Sequence, residues 1–159
     1  MTDTASRSAK QWALKTLARR MHTEQEIQRG LTERGWPSDT VKMVVDELKG
    51  TGFIDDTRFA EIWVTSRSER KLHGRFRLLR DLQDKGVEEE IARSVIQEFL
   101  PREKEITIAR KAAQKKKRSL KTRGIHAMAS LQRHLRSRGF QSEVIQAVLS
   151  DITFEEDPS

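Results

Sequence analysis

The sequence predicts an all-α protein: an elongated array of three tandem three-helix repeats, about nine helices in all, with no sheet. Three observations carry that expectation. The chain repeats itself on three glycines, Gly35, Gly86 and Gly139, spaced 51 and 53 residues apart. Eight residues before each stand Ile27, Leu78 and Leu131, and four before stand Leu31, Leu82 and Leu135. One after come Trp36, Val87 and Phe140; ten after, Val45, Ile96 and Leu149; thirteen after, Leu48, Phe99 and Ile152. The second observation is apolar spacing of three and four, one face of a helix, with no sustained period-2 alternation and no Tyr. The third is composition: 35% of the 159 residues are hydrophobic and 35% charged, which suits helices that each bury a stripe better than one large core. A unit of about 50 residues is marginal alone, and stacking gives each a neighbour to bury against.

The boundaries follow as repeat one over 1–52, repeat two over 53–101, repeat three over 102–153, and a flexible acidic tail over 154–159. In repeat one the first helix shows apolar spacing at Trp12, Leu14, Leu17 and Ala18; in repeat two the corresponding set is Phe59, Ala60, Ile62, Trp63 and Val64. The second helix of repeat one opens with Thr23-Glu24-Gln25-Glu26, a capping box in which the Thr oxygen accepts from the N3 amide and Glu reaches back. It runs to Gly35, where the chain leaves the helix with φ > 0, a conformation glycine adopts without a Cβ penalty. A basic residue precedes each repeat glycine (Arg34, Lys85, Arg138), and thirteen positions before each is a helix-entry histidine: His22, His73 and His126. Ser38 and Ser142 are placed to cap third helices, and Gly50 and Gly52 close repeat one.

The candidate chemistry is thin. With no Cys, disulfides, thiolate nucleophiles and Cys-ligated zinc are excluded. The eight glycines never form a phosphate-binding loop of the G-x-x-x-x-G-K-[ST] kind. Repeat-related histidines lie one per unit and cannot share a metal, and His126 with His134 makes only two ligands. Asp55-Asp56 fits an N-cap better than an acid–base pair. Trp12, Trp36 and Trp63 fit core columns better than base-stacking platforms. No nucleophile–base set can be assembled. The expectation is a non-enzyme without metal or cofactor, soluble and cytoplasmic: no stretch approaches the roughly 18 apolar residues of a membrane span, and Met1–Lys10 lacks a signal-peptide apolar region.

Charge carries more information. The 31 basic and 24 acidic residues give a net charge of +7 with histidines neutral. Between Ile106 and Ser142 stand eleven basic residues and no acid: Arg110, Lys111, Lys115, Lys116, Lys117, Arg118, Lys121, Arg123, Arg133, Arg136 and Arg138. A second cluster, Arg67, Arg70, Lys71, Arg75, Arg77 and Arg80, has Glu69 as its only acid before Asp81. Both read as binding surface for an anionic partner, phosphate backbone or acidic protein.

The run Gly52-Phe53-Ile54-Asp55-Asp56-Thr57-Arg58-Phe59-Ala60-Glu61, followed by Ser66-Arg67, resembles the signature of the RecX family of bacterial recombination regulators. Gly74, Leu82-Gln83-Asp84-Lys85-Gly86 and Leu135-x-x-Arg138-Gly139-Phe140 extend the likeness from about Trp12 to Ile152. The family usually has an aromatic where His73 stands and Pro where Arg75 stands. The resemblance implies three tandem three-helix repeats, with Gly35, Gly52, Phe53, Asp55, Asp56, Arg58, Phe59, Gly74, Gly86 and Gly139 as structural motif positions. It further implies a monomeric, non-enzymatic negative regulator of the RecA recombinase. Such a regulator lodges in the groove of the RecA–single-stranded DNA filament and suppresses ATP hydrolysis, strand exchange and co-protease activity, by blocking extension or promoting disassembly. The alternative reading is a direct, non-sequence-specific DNA-binding module using residues 106–142.

Overall fold

A computed structural model describes residues 2–152, so the acidic tail expected at 154–159 lies outside the described residues. Among them there are nine helices and no strand: α1 Thr2–Arg19, α2 Glu24–Glu33, α3 Ser38–Gly50, α4 Asp56–Lys71, α5 Arg75–Asp84, α6 Glu89–Phe99, α7 Arg102–Ser119, α8 Gly124–Ser137 and α9 Ser142–Ser150. In every repeat the second helix ends two residues before the glycine and the third begins three after it. All three glycines take positive φ, +94° at Gly35, +86° at Gly86 and +88° at Gly139. Each closes the helix by donating its N–H three residues back, to Thr32, Gln83 and Arg136. The amides of Val87 and Phe140 reach further back, to Leu82 and Leu135, completing a Schellman closure at the later two turns.

The packing stripe follows the repeat. Ile27, Leu31, Leu78, Leu82, Leu131 and Leu135 are all buried, each contributing about 2 kcal/mol of transfer free energy. In the third helices the best-buried columns lie six and nine after the glycine: Val41, Ala92 and Ile145, then Val44, Val95 and Val148. Of the columns expected at ten and thirteen, Val45, Ile96 and Leu48 are buried, whereas Leu149, Phe99 and Ile152 are only half-buried; Phe99 is the last residue of α6 and Ile152 lies past the end of α9. In α1 the inward residues are Ala9 and Ala13 while Ala18 is exposed, and in α4 Ile62 is 47% exposed. Ser38 and Ser142 are first helical residues rather than caps. Pro37 and Gln141 hold the N-cap places, and their carbonyls accept from Val41 and Ile145.

The described chain divides into two compact units, residues 2–60 with 82–92, and residues 61–81 with 93–152. In the first, Ala9, Ala13, Ile27, Leu31, Val41, Val44, Val45, Leu48 and Ile54 form one core, with Trp12, Leu14, Leu17 and Trp36 packed on it. Trp12 and Trp36 sit with centroids 6.4 Å apart, and the Arg34 guanidinium covers Trp12 at 4.8 Å. In the second unit α7, α8 and α9 pack pairwise.

Each unit contains one junction between consecutive repeats, and the two follow one plan. In the first, Thr23 Oγ1 donates to the Lys85 carbonyl at 2.6 Å, and Asp56 Oδ1 accepts from the Glu24 amide at 2.9 Å. In the second, the Gly74 amide donates to the Arg138 carbonyl at 2.8 Å, and Glu105 Oε1 accepts from the Arg75 amide at 3.3 Å. Thr23 and Gly74 both stand twelve residues before their own repeat glycine, and Lys85 and Arg138 one before the next. A second helix therefore plugs its N-terminus against the next repeat's glycine turn, and an acid on the following first helix caps it. Those turns are tight: a Cβ on Gly86 would strike Gln25, and one on Gly139 would strike the Arg77 backbone, whereas Gly35 has open space.

Candidate basic interface

The sequence-predicted cluster Arg67, Arg70, Lys71, Arg75, Arg77 and Arg80 occupies the end of α4, the loop 72–74 and α5, all within the second unit. The structure divides it by occupation. The Arg67 guanidinium lies over the Trp63 ring at 4.2 Å from the centroid. Arg77 Nε donates to Asp81 Oδ1 at 3.3 Å, an i,i+4 pair on α5. Arg75 Nε lies 3.7 Å from Glu105 Oε2, a carboxylate with no exposure. Burial pushes the Glu105 pKa up, against the pull of the Arg75 backbone amide, the Arg75 charge and the Gln141 backbone amide. Arg70, Lys71 and Arg80 hold no ion pair or hydrogen bond through their side chains among the described residues, and Arg70, Lys71 and Arg80 are exposed. Three of the six cations are thus structural and three are available.

His73 stands inside this cluster and is 7% exposed, with an Nδ1 that has no hydrogen-bond partner among the described residues. Burial lowers its pKa, Arg77, Arg138 and Arg67 lower it further, and Asp81 opposes them. The imidazole is therefore neutral at pH 7. His22 precedes α2 and His73 precedes α5, as expected of helix-entry residues, but His126 lies exposed within the first turn of α8. That helix begins fifteen residues before its glycine rather than eleven, one turn more, which carries the histidine column into the helix.

The other basic segment lies on α7, the loop 120–123 and α8. α7 buries Glu105, Ile108, Ala109, Ala112 and Ala113 and turns Arg110, Lys111, Lys115, Lys117 and Arg118 to solvent. Arg110 is held by Asp151 at 3.2 Å and Arg133 donates to Ser130 Oγ at 3.3 Å. Lys111, Lys115, Lys116, Arg118 and Arg136 have no side-chain partner among the described residues. His134 faces Arg138 and Lys116, and its pKa is lowered, first by burial and then by those two charges.

The Asp55-Asp56 signature belongs to the scaffold. Asp55 Oδ1 caps α4 by accepting from the Arg58 amide at 3.1 Å, and burial raises the Asp56 pKa while the Glu24 amide offsets it. Phe59 is buried, whereas Phe53 is 58% exposed and Gly52 and Arg58 are exposed. Gly52, Asp55 and Asp56, with Glu24, Lys49, Gly86 and Glu88, line a cavity of about 520 Å³, in which Asp55 and Asp56 already serve helix ends and Glu24 pairs with Lys49 at 3.2 Å. Among the described residues no group of three or more His, Asp or Glu is arranged to hold a metal, and no helix is long and apolar enough to cross a membrane.

Three RecX family domains match the chain in order: the first three-helix domain over residues 9–48, the second over 55–96 and the third over 103–149. The chain belongs to the RecX family. It is 33% identical over 150 residues to the regulatory protein RecX of Pelodictyon phaeoclathratiforme, covering 94% of this chain and 91% of that one. It is 32% identical over 152 residues to the regulatory protein RecX of Prosthecochloris aestuarii, covering 96% and 98%. A crystal structure of regulatory protein RecX superposes with a TM-score of 0.85 at 25% identity, covering 94% of this chain and 74% of that one. RecX from Lactobacillus salivarius shares the fold, with a TM-score of 0.87 at 17% identity, covering 94% and 97%. The family is one of regulatory proteins rather than enzymes.

Proposed function

We propose that this protein is a negative regulator of the RecA recombinase that binds the RecA–single-stranded DNA filament and lowers its ATP turnover, strand exchange and co-protease activity. The observation that carries the reading is membership in a regulatory family across all three repeats, joined to cations that the fold leaves unspent. Repeats bounded near 1–52, 53–101 and 102–153 would let one monomer touch successive protomers in the cytoplasm, so that weak contacts add through effective concentration. Basic surface would meet acidic protein or exposed phosphate and speed encounter. No cofactor is required.

The test is RecA ATP turnover on single-stranded DNA with increasing protein. Turnover should fall at nanomolar to micromolar concentration, and unchanged turnover with unchanged filament length overturns the reading. Charge reversal at Arg70 and Lys71 should abolish inhibition while the same change at Lys115, Lys116 and Lys117 spares it; equal loss from both points to an electrostatic surface without one focus. Direct DNA binding through 106–142 is the second reading, favoured by Lys111, Lys115, Lys116 and Arg118 of α7, which hold no side-chain partner among the described residues. It requires a log–log salt slope of about −0.7 for each phosphate neutralised on a single strand.

A further inference from the structure

We propose that α5 carries a base-stacking site for single-stranded DNA, with Phe76 as the platform and Arg70, Lys71 and Arg80 as its phosphate contacts. The inference rests on the filament reading only for its context, since it concerns naked strands as well. Phe76 is 55% exposed, in a helix whose buried positions are the leucines Leu78 and Leu82. Its neighbour four residues on, Arg80, is also exposed and shares its helix face, with Cβ atoms about 5–6 Å apart. The backbone fixes the platform: the Phe76 amide donates to the Gly139 carbonyl at 2.9 Å and the preceding Gly74 amide to Arg138 at 2.8 Å. A Cβ at Gly74 would strike Phe140 and Gly139, so this approach is as close as a backbone permits.

Charge selects the occupant. Arg75 and Arg77 stand on either side of Phe76 in the sequence and are paired with Glu105, whose side chain is 1% exposed, and Asp81, whose side chain is 20% exposed. Arg138 Nη1 donates to the Lys71 carbonyl at 3.1 Å, bringing a further cation to the end of α4. Arg70, Lys71 and Arg80 remain uncommitted among the described residues. An apolar protein groove would be a poor match for an aromatic ring set among arginines, whereas a single strand offers a π-face and a phosphate at every step. Stacking of that kind is tolerant of sequence, because every base has a face to offer.

The experiment measures binding of the full chain to a fluorescent oligo-dT strand and to an abasic strand of equal length. Phe76→Ala should weaken oligo-dT binding roughly tenfold, as expected for one lost base–aromatic stack, and leave abasic binding unchanged. Phe76→Trp should restore it, with tryptophan emission quenched on addition of oligo-dT. Arg70→Gln, Lys71→Gln and Arg80→Gln should weaken both strands and flatten the salt slope by about 0.7 each. Equal affinities of Phe76→Ala and wild type for oligo-dT overturn the proposal. No binding of the wild type to either strand also overturns it while leaving filament inhibition standing. Loss of filament inhibition in Phe76→Ala without any oligonucleotide binding assigns the ring to a protein contact instead. Failure of the wild type to inhibit RecA sinks the filament reading alone.

Discussion

His73 shows what a single side chain costs when its neighbours refuse its charge. The ring is 7% exposed, Nδ1 has no partner among the described residues, and burial with Arg77, Arg138 and Arg67 holds its pKa below the ordinary value of 6.5, against Asp81. The folded state therefore binds fewer protons than the unfolded chain, and stability present above about pH 6.5 drains away as pH falls through the folded value. His134 is shifted in the same direction and adds to the slope. Replacing His73 by Phe removes both an unsatisfied buried nitrogen and the titration. We expect His73→Phe to stabilise the fold by about 1 kcal/mol at pH 7 and to shrink the loss of stability between pH 6.5 and 5. Urea unfolding at the two pH values measures both. At this scale the sequence foresaw the helix-entry position but not the burial, because nothing local to Leu72–Gly74 announces that Phe140 and Arg138 close over it.

At the scale of elements, helix ends decide how repeats join. Asp56 and Glu105 lie on successive first helices and do the same work for different partners, capping the amides of Glu24 and Arg75. Asp56→Ala should cost about 1 kcal/mol, the usual loss of a side-chain cap. Glu105→Ala should cost about 2–3 kcal/mol, since it also leaves Arg75 without its counter-charge. Glu105→Gln keeps an accepting oxygen and should cost much less. Because burial raises Glu105 above its ordinary 4.5, the carboxyl favours folding below about pH 4.5 and withdraws that contribution as pH rises through the folded value. The Gln variant should therefore lose that acid-side dependence, which unfolding midpoints from pH 4 to 8 would reveal. The capping box at Thr23 and Glu26 and the glycine turns were legible because their hydrogen bonds close within a few residues. Asp55 was legible as the α4 cap for the same reason. Asp56 and Glu105 were not, since their partners lie 32 and 30 residues away. The basic clusters were readable as composition, but which cations remain free depended on Trp63, Asp81, Glu105 and Asp151, the last two of which lie outside the helix of the cation they hold.

For the whole molecule, the repeat glycines supply a graded test of how far a local fault spreads. All three carry positive φ, so any Ala there incurs backbone strain of about 1 kcal/mol. Gly35 has open space beside it, and Gly35→Ala should cost little beyond that strain. Gly86→Ala meets the Gln25 side chain, which can shift, whereas Gly139→Ala meets the backbone of Arg77, which is tied through Phe76 to Gly139 itself. The expected order of destabilisation is Gly139, then Gly86, then Gly35. The damage should also not stay in one unit. α4, α5 and α6 each run through both compact units, dividing near residues 60, 81 and 92, so unfolding of one unit frays three helices of the other. Trp12 and Trp36 report the first unit and Trp63 the second. In a Trp63→Phe background, emission comes from the first unit alone, and Gly139→Ala should still lower its urea midpoint in step with far-UV circular dichroism. A first-unit midpoint that ignores the substitution, while the circular dichroism splits into two transitions, would make the repeats independent folding units and remove the basis for treating them as one cooperative array.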